Sequence, residues 1–323
     1  ITLTLITVAA FTGCALNPLP SSEKILVDAL PSNTSIPSGW KAESLSGAVT
    51  DGWLATFNDP ALSSIITEAL SNNLDLRIAA ERVRIAQQQI ILASAQMKPQ
   101  IGINLGDRIT YDDGIDGTFN STAAYLGIGW ELDVWGRLRA QQVASENIAT
   151  ATALDYAYAR QSLAAMVAKV WYITCQARQL VDLTNQSVEI YSEQLSLSKV
   201  RQSSGKDSNL GVVDTQAKLN SARAEYENAL ATYEQAQRTL ELLLGRYPAA
   251  EIQASSSLTL KPGSIDSGVP LSILQRRPDL LAAEQIVFAR FRLEESARLA
   301  LLPDLSFSLA GGRLGDGILS LLS

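Results

Sequence analysis

Glu131 and Asp133 are the nearest this chain comes to a paired general acid and base. They stand one residue apart in a stretch where Leu126, Ile128, Trp130 and Leu132 alternate with smaller or polar residues. Alternation of that kind places the apolar residues on one face of a strand and the two acids on the other, with no chemistry required. The chain has no histidine, so it lacks the commonest general base and the commonest metal ligand. Gly311-Gly312-Arg313-Leu314-Gly315 lacks both the lysine of a phosphate loop and a helix pattern after it, and reads as a loop following a strand. These residues point to no catalytic, cofactor or metal site, and we expect no enzyme.

Cys14 carries the clearest chemical signal. Residues 1–13 resemble the apolar region and cleavage site of a secretory signal without its basic start. Thr12-Gly13-Cys14 resembles the end of a bacterial lipobox, where a peptidase cuts before a cysteine that then carries acyl chains; Phe11 stands where leucine is usual. The plainer alternative is an ordinary cysteine in a buried helix. The second cysteine, Cys175, lies in a helical pattern and reads as inert packing.

The elements that position these residues repeat. Asp75, Leu76, Ala79, Val83, Ala93 and Pro99 match Asp279, Leu280, Ala283, Val287, Ala297 and Pro303, all at one offset. After each proline the pattern changes from helical spacing to alternation. Ile101, Ile103 and Leu105 correspond to Leu305, Phe307 and Leu309, interleaved with small or polar residues. That is how a half-buried strand or a membrane-barrel strand reads. We expect a loop from Asp107 to Asn120 between the first two strands.

Asp59 is the expected N-cap of a helix with Pro60 at its first position. From about Leu138 to Ser203 there is neither proline nor glycine. Roughly 65 residues of helix span about 100 Å. Within it Leu163, Val167, Val170, Thr174, Ala177, Val181, Thr184, Val188, Tyr191 and Leu195 keep a 4-3 spacing. The chain turns at Ser203-Ser204-Gly205. It returns with Val212, Thr215, Leu219, Ala222, Tyr226, Ala229, Tyr233, Ala236, Leu240 and Leu243 on the same rule, ending at Gly245. This is a coiled-coil seam.

The 323 residues carry a net charge of −7 and a pI near 4.8, which argues against nucleic acid as a partner. No run approaches the roughly 18 apolar residues of a spanning helix, so membrane insertion would be by strands or lipid. Two strands per repeat cannot close a barrel, and open edges are not tolerated in lipid. Other copies of the chain must complete it. The expected fold is therefore mainly α, with long coiled-coil hairpins and membrane β-strands contributing to a shared barrel.

Trp130-Glu131-Leu132-Asp133-Val134-Trp135-Gly136-Arg137, Arg276-Arg277-Pro278-Asp279-Leu280 and the Trp53, Phe57, Asp59, Pro60, Leu62 pattern resemble the outer-membrane efflux proteins of the TolC/OprM type, in particular their NodT-like lipoprotein branch. The resemblance covers nearly the whole chain. It implies a homotrimer with a barrel in outer-membrane lipid and a helical tunnel in the periplasm. It also implies docking to a periplasmic adaptor protein and an inner-membrane pump, and passive export of drugs or other small molecules. A second pair of long helices is implied beyond residue 323, and we take the sequence to be incomplete at both ends.

The expected organisation runs as follows: a signal remnant at 1–13, an extended segment at 14–57, helices of the first repeat at 58–99 and a membrane β-hairpin at 100–135. The long helical hairpin follows at 136–248, then a linker at 249–277, the helix of the second repeat at 278–302 and the start of a second β-hairpin at 303–323. Trp135, Gly136 and Arg137 mark a strand-to-helix junction, with tryptophan suited to a membrane–water interface. Arg276, Arg277, Pro278 and Asp279 open a helix, with proline in its first turn and aspartate favoured by the helix dipole. Adaptor docking is expected at the tip, around Ser204, Gly205, Lys206 and Asp207. A periplasmic adaptor lipoprotein or a structural coiled-coil envelope lipoprotein are the alternatives; neither needs a duplicated helix-plus-strand unit.

Overall fold

A computed structural model describes residues 16–29, 34, 52–112, 117–255 and 270–315. Cys14 and the segment 1–13 lie outside the described residues. In chain order the helices are α1 (Ser22–Ala29), α2 (Pro60–Asn72), α3 (Leu74–Ala95), α4 (Arg137–Ser203), α5 (Asn209–Leu243), α6 (Pro270–Arg276) and α7 (Pro278–Leu299); the strands are β1 (Gln100–Asp112), β2 (Gly117–Leu132) and β3 (Leu305–Gly315). The chain divides into two compact units, one of Ile1–Thr34, Glu81–Leu154 and Pro278–Ser323, the other of Ser35–Ala80 and Asp155–Arg277. No helix among the described residues is long and apolar enough to cross a membrane.

The first unit is built on an antiparallel sheet of order β1-β2-β3. Ile101 pairs with Ile128, Ile103 with Leu126 and Leu105 with Ala124. Across the other edge of β2, Ile128 pairs with Leu309, Trp130 with Phe307 and Leu132 with Leu305. Paired residues share a face, so the alternation in three separate segments merges into one apolar surface. Two expected loops are corrected: between Asp107 and Asn120 pairing continues to Asp112 and Gly117, and Gly311 to Gly315 belong to β3, paired with Leu126 to Thr122. Polar side chains there do not interrupt a ladder whose bonds are all main-chain. Thr122 Oγ1 also donates to Asp107 Oδ1 at 2.7 Å, tying the two strands at the edge of the stretch expected to be loop.

A second correction concerns the extended segment expected at 14–57. It contains α1 and a short 3-10 turn at Trp53–Phe57. Ser21 caps α1, its Oγ accepting from Lys24 N at 3.3 Å with Glu23 in the first turn.

The second unit has a true core. Leu62, Ile66 and Ala69 of α2 meet Val167, Val170, Trp171 and Cys175 of α4 and Leu240 of α5, together with Leu244 and Ile252. Further along the hairpin, Ala177 and Val181 pack on Ala229 and Tyr233. These are seam positions, and the 4-3 spacing is thus realised as burial. Burial pushes the Cys175 thiol up from its ordinary value, as suits an unreactive packing residue.

Asp59 performs two tasks. Its Oδ1 accepts from Leu62 N at 3.0 Å, capping α2, and its Oδ2 accepts from the indole N–H of buried Trp171 at 3.0 Å. Asp59→Ala removes a cap and strands a buried donor, and is expected to cost about 3 kcal/mol. Chemical denaturation of wild type against Asp59→Ala and Asp59→Asn measures this; Asn keeps one acceptor oxygen and turns an NH2 donor toward the other N–H, so it should fall between them.

The ends of α2 and α5 interlock. Asn73 Oδ1 accepts from Leu76 N at 3.0 Å to cap α3, while its Nδ2 donates at 2.9 Å to the carbonyl of Leu243, the last residue of α5. Arg246 reaches both oxygens of Glu68 on α2, at 2.5 and 2.7 Å. Gly245 (φ 74) ends α5 with paired bonds from Gly245 N to Leu242 O and from Arg246 N to Glu241 O.

Beyond it, the region expected to be plain linker (249–277) starts with a structured turn and ends with α6. Ala250 takes a positive φ of 62. The N–H groups of Ala250, Glu251 and Ile252 converge on the buried Glu241 carboxylate at 2.8, 2.7 and 3.0 Å. A row of main-chain donors bent in this way forms an anion-binding nest. Burial pushes the Glu241 carboxyl up, but the N–H groups of Ala250, Ile252, Glu251 and Ala249 outweigh it and hold the group below the ordinary carboxylate value. Gln237 completes the turn by donating to Ile252 O at 2.7 Å.

Candidate functional site

Three regions carry the features singled out in the sequence: the sheet face, its junction with α4, and the turn between α4 and α5. On the sheet, Ile101, Ile103 and Leu105 are 69%, 76% and 78% exposed, and Leu309 is 58% exposed. The other face of the same strands presents Gly102, Asn104, Gly127, Gly129, Ser306 and Ser308. One side is thus mainly apolar, with Arg313 across from Ala124 and Asp107 across from Thr122 at its far end, and the other is mainly small and polar apart from Tyr125.

At the junction β2 ends at Leu132, so Asp133, expected on the strand face beside Glu131, instead lies past the strand. Val134 N donates to Leu132 O at 2.7 Å and Gly136 N to Asp133 O at 3.3 Å, and Gly136 takes a φ of 82. The chain has turned out of the ladder, and Asp133 caps α4 with both oxygens, accepting from Leu138 N at 2.9 Å and Arg139 N at 2.8 Å. A carboxylate is favoured there because a helix start has unsatisfied N–H groups and positive potential. Glu131 remains on the strand and accepts from Arg137 Nη2 at 2.6 and 2.8 Å. Both acids are thereby committed to structure. The two tryptophans reach outward along the same unit. Trp130 Nε1 donates to Met97 O at 2.9 Å, and Trp135 Nε1 donates to Pro303 O at 2.8 Å. Met97 and Pro303 precede β1 and β3, so the end of β2 and the turn after it are tied to both helix-to-strand turns.

The Arg276-Arg277-Pro278-Asp279 stretch joins α6 to α7. Arg276 ends α6, Arg277 N donates to Leu274 O at 3.3 Å, and Pro278 and Asp279 occupy the first turn of α7.

The turn between α4 and α5 is closed by local bonds. Gly205 (φ 71) and Lys206 donate to Gln202 O and Arg201 O at 2.9 and 2.8 Å, ending α4. Ser208 caps α5, accepting from Gly211 N at 3.3 Å. Asp207 Oδ2 accepts from Ser198 Oγ at 3.1 Å, while its Oδ1 accepts from Ser208 N at 2.8 Å. Around this ordered turn Leu197, Val200, Leu210 and Val213 are exposed.

The sequence reading missed Glu241 and the Arg292–Glu295 pair. Glu241 had one available signal: an acid in the last turn of a helix, where the dipole disfavours it. Arg292 and Glu295, three residues apart on α7, look like any surface pair, yet they are 9% and 8% exposed.

Residues 65–246 match the family described as outer membrane efflux protein. The chain is similar to the pyoverdine export outer membrane protein OpmQ of Pseudomonas putida, with 28% identity over 314 residues, 91% of this chain and 67% of that protein. It is 30% identical over 292 residues to the probable efflux pump outer membrane protein TtgC of Pseudomonas putida, covering 85% of this chain and 59% of that protein. The chain therefore spans about two thirds of the first relative and less of the second. In fold it is similar to the Campylobacter jejuni CmeC outer membrane channel, with a TM-score of 0.78 at 21% identity over 94% of this chain and 71% of that one.

Proposed function

Because this chain belongs to the outer membrane efflux protein family, we propose that it is the outer-membrane channel of a tripartite efflux system, passing drugs or other small molecules outward through a water-filled lumen. The observation that carries this reading is the sheet: an apolar face running across all three strands from Ile101 to Leu105, backed by mainly small and polar residues, with β1 and β3 each presenting an open edge among the described residues. In lipid every main-chain group must be paired, so strands of this kind belong in a closed barrel. Three copies closing one barrel meet that demand, with the apolar face toward outer-membrane lipid. The equal 22-residue lengths of α3 and α7, each followed by a strand, support reading the two halves as copies of one unit.

The long α4–α5 hairpin supplies the periplasmic wall, and its tip at Ser204, Gly205, Lys206 and Asp207 is the adaptor-docking site. The exposed leucines and valines beside that ordered turn support the assignment. Cys14 is the acylated residue that anchors the N-terminus. Transport involves no bond making: opening is a population shift driven by partner contacts at the tip. An adaptor lipoprotein is disfavoured by the family match, which runs from within α2 through α3, β1 and β2 to the end of α5.

The reading is tested with the full-length protein purified in detergent. It should run as a trimer and give stable conductance steps in planar bilayers; a monomer without conductance would overturn it. Deleting residues 204–210 should bring export in cells down to the level of a strain lacking the protein, with trimer and conductance retained. Normal export by that variant would remove the docking assignment and leave the channel reading standing.

A further inference from the structure

The segment after Cys14 is held in an unusual way. Asn17 N donates to Glu295 Oε1 at 2.7 Å, and Arg292 Nη1 donates to Asn17 O at 2.8 Å. The same Arg292 Nη1 bonds Glu295 Oε2 at 2.6 Å, so the two charged groups hold each other as they hold Asn17. Both belong to the buried face of α7. The Asn17 side chain itself is exposed. Recognition is thus of the main chain alone. In an extended residue the N–H and C=O point to the same side, and Pro18 restricts Asn17 to extended conformations. Pro20 stiffens the strap further. Next to it, Leu16 Cδ2 lies 3.5 Å from where a Cβ on Gly136 would stand, placing Leu16 over the strand-to-helix turn.

We propose that Arg292 and Glu295 form a main-chain clamp for Asn17, which seats the N-terminal strap at the strand-to-helix junction and so fixes where the acyl-bearing end of the chain meets the membrane. Cys14 is two residues before Leu16, and a fully extended chain lets it stray only about 7 Å from that point. An acyl group on Cys14 would then be tethered close to Leu16 and the turn of Trp135 and Gly136, with tryptophan suited to a membrane–water interface. The membrane consequence rests on the acylation of Cys14 proposed above; the clamp does not.

The clamp makes an uncommon prediction because it reads backbone. Asn17→Ala should leave the strap as protected as in wild type. Asn17→Pro, which deletes the N–H, and Arg292→Met should both release it. The experiment is hydrogen exchange by mass spectrometry on the full-length trimer in detergent, following amides after Pro20 in the strap and α1, with β1 and β2 as internal reference. Release should speed exchange at the bonded amides of α1, from Lys24 onward, roughly tenfold or more, the loss expected for a buried charge-assisted bond, with the strands unchanged. Glu295→Gln, which keeps an acceptor, should restore part of the protection lost in Arg292→Met. If Asn17→Ala frees the strap as much as Asn17→Pro does, or if neither Asn17→Pro nor Arg292→Met frees it, the clamp is wrong. Intact mass of the same samples reports acylation separately: an unmodified Cys14 overturns the membrane part of the proposal and leaves the channel reading untouched.

Discussion

Glu241→Ala is expected to lower stability by about 4 kcal/mol at neutral pH, more than a typical single substitution. The alanine leaves the N–H groups of Ala250, Glu251 and Ile252 facing a buried site with no acceptor. It also frees the turn that carries Ile252 into the core beside Leu240 and Leu244. The effect has a pH signature. The Glu241 carboxyl lies below its ordinary value in the folded chain, so its contribution is fully present above the unfolded carboxyl value and is lost as pH falls through the folded one. Wild type should therefore approach the stability of Glu241→Gln under strongly acid conditions and exceed it at pH 7. Thermal melts followed by circular dichroism across that range check both statements; a wild-type–Gln gap that widens on acidification would show the sign to be wrong.

Gly245→Ala is expected to cost roughly 3 kcal/mol or more, from two sources. The residue needs a φ of 74, and a Cβ there would sit 2.6 Å from Asn72 O and 3.0 Å from Asn72 C. Those are main-chain atoms at the end of α2, so relief requires moving a helix whose next residue is fixed to Leu243 O. Gly205→Ala is the matched control. It has a similar φ of 71 but nothing within 4 Å of its Cβ, so it should lose only about 1 kcal/mol of conformational preference. Denaturant midpoints of the two variants separate the collision from the backbone strain. Equal losses would mean that α2 yields freely.

Much of this architecture is legible because it is periodic. The 4-3 spacing of Val167, Val170, Thr174, Ala177 and Val181 can satisfy only a helix seam, and all five are buried. The alternation at Ile101 and at Leu305 gives strands in the same way, and Asp59-Pro60 marks its helix start through a cap whose chemistry is local. The junction was half legible. Trp135 and Gly136 signal a turn, but whether Asp133 belongs to the strand or to the helix depends on where the ladder stops, and no neighbouring residue fixes that. Polar residues from Asp107 to Asn120 suggested a loop because side-chain polarity says nothing about main-chain pairing. Glu241, Arg292 and Glu295 were hidden for a different reason: their partners are N–H and C=O groups, which every sequence contains and none displays.

The two indole bonds at the junction bear on how such proteins can be recombined. Trp130 and Trp135 grip the carbonyls of Met97 and Pro303, so what they require of those positions is the path of the chain and not the identity of the residue. Chimeras that graft a foreign hairpin at residues 99 and 133 would part Trp130 from Met97, whereas crossovers placed inside α3 and α4 keep that pair on one segment and ask of the host only the path of the chain at Pro303.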